Sequence, residues 1–176
     1  MRCRLLALLV CLGVCPGVVW ADEAYAGKEL NVTFRYPSGW LLTQEAGTIE
    51  SYQAVRVSGP KNSGQTYRAT IVIRRRSLDE AVDLQTWLDR LPSGATVVER
   101  TSTSVGAAPA QQAVADYAIP AMHRHGMSIS PIRVRERHLI VERAPYRYEL
   151  TYSADQDEYV AFSSQFELLL ASFAFR

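Results

Sequence analysis

The sequence predicts an α+β domain, an antiparallel β-sheet of about six to seven strands sandwiched by helices. Three observations carry this reading. Apolar and polar residues alternate strictly in several segments, the period of a half-buried strand. Three pairs of such segments flank short Gly/Pro/Asn clusters, which is hairpin chemistry. Only two segments have a helical period, and no βαβ unit repeats, so the strands are expected to pair antiparallel.

The elements follow in order. Leu30, Val32, Phe34 and Tyr36 alternate with Asn31, Thr33 and Arg35, and Pro37-Ser38-Gly39 ends that strand before Trp40, an expected core anchor. Residues 49–57 and 67–75 form a hairpin about the cluster at 58–64. Ala69, Ile71 and Ile73 there face one way, and Arg68, Thr70 and Arg74 the other. Ser77-Leu78-Asp79-Glu80 reads as a capping box opening a helix through Leu91, stopped by Pro92 and Gly94. Residues 95–104 and 110–119 form a second hairpin about Gly106–Pro109, and 132–142 with 146–152 a third about Ala144-Pro145. Asp155 and Glu158 cap a closing helix whose apolar stripe is Tyr159, Phe162, Phe166, Leu169, Leu170 and Phe173.

Upstream of the domain, Arg2 and Arg4 precede the apolar run Leu5–Cys15, which ends at Pro16-Gly17. Val18-Val19-Trp20-Ala21 then fits a signal peptidase site, so 1–21 is read as a secretory leader, 22–27 as a flexible lead-in and 28–176 as one domain. The other readings are an uncleaved anchor, for which the run is short, and a lipoprotein at Cys11 or Cys15, each of which follows a valine. Cleavage after Ala21 removes Arg2 and Arg4, taking Lys+Arg from 19 to 17 against 18 Asp+Glu, so the formal charge moves from +1 to −1. It also removes Cys3, Cys11 and Cys15, all of the cysteines, which excludes thiol catalysis, thiolate metal sites and a disulfide framework. The near-zero charge argues against nucleic acid as a partner. A periplasmic or secreted monomer without a membrane span is expected.

Phe34-Arg35-Tyr36-Pro37-Ser38-Gly39-Trp40 resembles the F-x-Y-P-x-G-W opening of the PsbP/Mog1/DcrB-like superfamily. The Tyr-rich strand Tyr146–Tyr152, followed by a helix ending Leu170-Ala171-Ser172-Phe173-Ala174-Phe175, resembles its close. The resemblance implies an antiparallel sheet sandwiched by helices. Members of that superfamily include extrinsic photosystem II subunits, a Ran-binding factor, envelope lipoproteins and effector chaperones. It therefore implies a non-enzymatic accessory or binding protein, with a protein partner in the cell envelope or a small ligand, and it brings no catalytic residue with it.

Candidate chemistry is sparse. There is no Gly-x-Ser-x-Gly elbow, zinc-helix motif or phosphate-cradling Gly loop, and no cofactor motif. His123 and His125, bracketed by Pro120 and Pro131, are two of the ligands a metal would need; an exposed polar loop is the plainer reading. Arg74 and Arg75, within Arg74-Arg75-Arg76, are candidates for anion or partner contact, against a charged strand edge. Arg133 and Arg135, with Arg137 and with Arg143 and Arg147 nearby, could form a basic stripe for an acidic partner or lipid headgroups, much of which Glu136, Glu142 and Glu149 are expected to neutralise. Tyrosines near the C-terminus with Trp40 and Trp87 could line an apolar pocket, but their alternation reads as core. A hydrolase assembled in space remains the alternative, with His138 or His125 beside a carboxylate as its mark. N-terminal sequencing of exported protein is expected to begin at Asp22; a start at Cys15 would identify a lipoprotein instead.

Overall fold

The computed structural model describes residues 22–46, 52–79, 83–120, 122–124, 127–129 and 131–176. The leader therefore lies outside the described residues. The strands are β1 (Asp22–Tyr25), β2 (Val32–Pro37), β3 (Leu41–Ala46), β4 (Tyr52–Ser58), β5 (Ala69–Ser77), β6 (Thr96–Val105), β7 (Ala108–Ile119), β8 (Met122–Arg124), β9 (Met127–Ile129), β10 (Ile132–Arg143), β11 (Tyr146–Asp155) and β12 (Ala174–Phe175). Helix α1 spans Leu84–Asp89 and α2 Tyr159–Ser172.

Seven strands form one antiparallel sheet in the order β3-β4-β5-β11-β10-β7-β6. All three expected hairpins are in it: β4–β5, β6–β7 and β10–β11. The β6–β7 turn is only Gly106-Ala107, both at positive φ (51° and 64°), the backbone of a tight hairpin turn. Gly106 is required there twice over, since a Cβ would also sit 2.9 Å from the Phe173 carbonyl oxygen.

Alternation divides the sheet into two faces. One face carries Val55, Val57, Ile71, Ile73, Leu139, Val141, Tyr148, Leu150 and Tyr152 into the core. Against it pack α2, through Phe166 and Leu169, and the small sheet β1-β2-β12, through Val32, Phe34 and Tyr36. Phe34 stacks on Tyr25 at 4.8 Å and on Phe173 at 6.2 Å, joining both ends of the domain. Trp40 packs edge-on to Phe162, as its anchor role requires. The buried phenols are satisfied: Tyr148 donates to the Leu30 carbonyl at 3.1 Å and Tyr152 to that of Tyr159 at 2.6 Å. On the other face α1 sets Leu84, Trp87 and Leu88 against Ala113 and Ile140. The large sheet thus lies between helices.

Several local expectations are corrected. Residues 22–27 carry β1, held by its pairing to β2 and by burial of Tyr25. Strands β1, β3 and β12 were not foreseen. Ser77 does not cap a helix; it ends β5 opposite Tyr146, because the ladder to β11 continues through it. Helix α1 starts later, with Asp83 accepting from the Thr86 amide at 2.7 Å. Asp155 and Glu158 do not cap α2 with their side chains either. Asp155 ends β11, and the Glu158 carboxylate is held by the Arg68 guanidinium at 2.8 and 2.9 Å. The His123 loop is a short hairpin, β8 paired with β9.

Phe166 of α2 is fully buried and stacks on Tyr152. Phe166→Ala is expected to remove about 3–5 kcal/mol from the unfolding free energy in urea titration, the range for emptying an aromatic core site.

Candidate functional site

Register places the polar side of the large sheet. Across its helix-α1 face, Thr70 of β5 stands opposite Ser153 of β11, and Ser153 opposite Glu136 of β10. The next row is Arg56 (β4), Val72 (β5), Thr151 (β11) and His138 (β10). The row beyond sets Arg74 opposite Glu149. Helix α1 covers only the β10–β7 side of this face and supplies Trp87 and Arg90 as one wall. The result is a recess of about 310 Å³ floored by strands and lined also by Arg76.

Its charges are organised. Glu149 is 6% exposed and takes the Arg76 Nε at 2.9 Å, with an Arg74 nitrogen at 3.9 Å. Arg74 and Arg76 also lie over the Tyr52 ring. Arg56 forks onto Glu45, whose carboxyl it holds below the usual range chiefly by that hydrogen bond. Glu136 accepts from the Tyr117 hydroxyl at 2.7 Å. Burial pushes the Glu136 carboxyl up, against the lowering pull of Tyr117, Arg74 and Trp87. Burial, then the Glu136 charge, pushes the Tyr117 phenol up as well.

His138 was the mark set for a catalytic site, and it does line this recess beside Glu136 and Glu149. Its condition decides its role. The ring is 2% exposed, stacks on Trp87 at 4.4 Å with planes 4° apart, and shares a 2.8 Å hydrogen bond between Nδ1 and the Thr151 hydroxyl. Burial first, and the Arg74 charge second, hold its pKa at about 3. A general base works best near the ambient pH. At neutral pH this imidazole is uncharged but a very weak proton acceptor.

The other residues singled out in the sequence are dispersed. Arg74 lines the recess, whereas Arg75 points to the core side and lies over Tyr146 at 4.3 Å. Arg135 forks onto Asp116 at 2.6 and 2.7 Å and lies over Tyr159. Arg133 is exposed at the start of β10. The expected neutralisation holds in part: Glu142 pairs with Arg147, but Arg135 pairs with Asp116 and Arg137 with Glu167, while Glu136 and Glu149 serve Tyr117 and Arg76. The reason is parity, since Glu136 points to the opposite face from Arg135 and Arg137. His123 lies in β8, and His125 lies outside the described residues. Among the described residues no group of three or more His, Cys, Asp or Glu is placed to hold a metal, and no helix is long and apolar enough to cross a membrane.

No family model and no curated protein matches the chain. Solved structures do. Cyanobacterial PsbP from Synechocystis sp. PCC 6803 superposes with a TM-score of 0.59 at 12% identity, over 94% of this chain and 99% of that one. The chain has the PsbP/Mog1-like fold. LpqN of Mycobacterium tuberculosis, described as involved in cell envelope biogenesis, aligns with a TM-score of 0.52 at 16% identity over 90% of this chain and 86% of its own. The Saccharomyces cerevisiae Ran-binding protein Mog1p gives 0.50 at 8% identity, over 89% and 96%. At such identities the likeness to PsbP and Mog1p is one of architecture, and the recess must be read from its own residues.

The low pKa of His138 has a stability consequence. Its folded value lies below the unfolded value of about 6.5, so the unfolded chain binds the extra proton between them. Stability from this site is whole above about pH 6.5 and lost as pH falls toward 3. Chemical denaturation of the wild type at pH 7 and pH 4 is expected to show that loss. His138→Gln is expected to flatten the slope by up to about 1 kcal/mol per pH unit.

Proposed function

We propose that this chain is an exported, non-enzymatic accessory or binding domain of the cell envelope, and that the recess beside α1 is the surface through which it works. The observation that carries this is the state of the recess. Charged and hydroxyl side chains from four strands and the end of α1 converge in a partly enclosed site, yet its imidazole is locked and uncharged. Half-buried ion pairs of this kind add little net stability, because desolvation cancels much of the attraction. They are better explained by something that the site holds. The leader-like start of the sequence supports export. The fold is shared with LpqN, a protein of cell envelope biogenesis, which agrees with an envelope setting.

The hydrolase reading has one observation in its favour, the hydroxyl–imidazole pair of Thr151 and His138 near Glu136. Against it stand the burial of both members of the pair and a histidine pKa of about 3.

Two measurements separate the readings. Affinity capture from an envelope fraction is expected to retain a component on the wild type that Arg74→Glu loses. A panel of chromogenic esters and phosphoesters is expected to show no turnover that depends on His138. Turnover abolished in His138→Gln would establish the hydrolase in its place.

A further inference from the structure

We propose that the recess takes a small molecule through an oxyanion group, a phosphate or a carboxylate, held by Arg74 and Arg90 and by the Thr70–Ser153 hydroxyl pair. This rests on the binding reading above and names the chemistry of its ligand.

Four guanidiniums line the recess, those of Arg56, Arg74, Arg76 and Arg90, against two carboxylates, Glu136 and Glu149. The balance is cationic, in a chain whose overall formal charge is near zero. Two of the four arginines are committed: Arg56 to Glu45, and Arg76 to Glu149. Arg74 is not committed in the same way. Its 3.9 Å approach to Glu149 is an ion-pair distance but too long for a hydrogen bond, so Glu149 fixes the Arg74 charge without using its donors. Arg90, exposed at the C-terminal end of α1, forms no ion pair among the described residues.

The floor adds neutral donors. Thr70 Oγ1 and Ser153 Oγ lie 2.9 Å apart. A hydroxyl pair uses one proton between its two oxygens, and the accepting partner keeps its own proton to give elsewhere. The carboxylates do not oppose an anion fully. Glu149 is covered by arginine, and Glu136 is capped by Tyr117. A planar guanidinium suits phosphate and carboxylate alike, in paired hydrogen bonds. The volume of about 310 Å³ is at the small end of ligand sites and suits a metabolite-sized group rather than an acyl chain.

Isothermal titration of the purified protein with inorganic phosphate, citrate and uncharged glucose tests this. Phosphate or citrate is expected to bind with unit stoichiometry, and glucose not at all. Arg74→Gln and Arg90→Gln are each expected to weaken that binding by about tenfold or more, the loss of a charged hydrogen bond. Arg143→Gln, exposed on the opposite face of β10, is expected to leave it unchanged. Arg90 is exposed, so its variant carries the test even if Arg74→Gln fails to fold. Binding of phosphate alone assigns a phosphoryl ligand, binding of citrate alone a carboxylate, and either supports the proposal. No anion binding at millimolar concentration, binding indifferent to both recess variants, or equal binding of glucose overturns it. If anions fail while Arg74-dependent capture from the envelope persists, the oxyanion chemistry falls and the binding role stands. If both fail, both fall.

Discussion

The position of β11 in the middle of the large sheet is the constraint on which the rest depends. It pairs along nearly its whole length with β5 on one side and β10 on the other. Its even-numbered residues Tyr148, Leu150, Tyr152 and Ala154 are buried in the core. Its odd-numbered residues Glu149, Thr151 and Ser153 form the middle of the recess floor. A slip of one residue would put a carboxylate into the aromatic core and two tyrosines onto the polar face. The two large phenols oppose that slip, since each is tied to a backbone carbonyl outside the sheet strand, that of Leu30 or Tyr159. Packing on one face therefore fixes the geometry of the other.

The recess exists because the two faces are covered unequally. Helix α2 and the small sheet close the apolar face with a stack of rings from Tyr25 through Phe34 to Phe173. On the other face, α1 is six residues long and packs its apolar side on Ala113 and Ile140. Among the described residues no helix covers the sheet beyond it, where Arg56, Thr70, Arg74, Thr151 and Ser153 line the recess. The Trp87 ring is where cover gives way to recess, packing against the α1 cluster while stacking on His138. The same ring lowers the exposure of His138 and so contributes to the burial that keeps it neutral.

The fold was legible where one strand or helix carries its own signal. The alternation of residues 146–152 and the apolar stripe from Tyr159 to Phe173 are local facts, and both elements are present. The misreadings share a cause. Ser77 and Asp155 have the chemistry of helix caps, but each lies on a strand whose neighbour offers a full ladder, and the ladder wins. Strand β3, Leu41–Ala46, lacks alternation because it sits at the sheet edge with little to bury. Of the recess only single members were legible, Arg74 as an anion contact and His138 as the mark of a site. Arg56, Thr70, Glu136 and Ser153 mean nothing together until the register across four strands is known. Only the polar positions 149, 151 and 153, set against the tyrosines, signalled that this strand has a second face worth reading.

Two of the titratable groups lining the recess, Glu136 and His138, are shifted by burial. Burial acts on both Glu136 and His138, and in each case it disfavours the charged form. A general acid or base works best when its pKa lies near the working pH. Here Glu136 is moved up but has its Tyr117 donor working against the shift, and His138 is moved down, away from neutrality. The His138 shift runs away from proton transfer at neutral pH. Glu149 instead acts on position, holding Arg76 by a hydrogen bond and Arg74 by charge alone. A recess whose histidine is silenced while its guanidiniums are kept in place is the arrangement on which the proposed anion site rests.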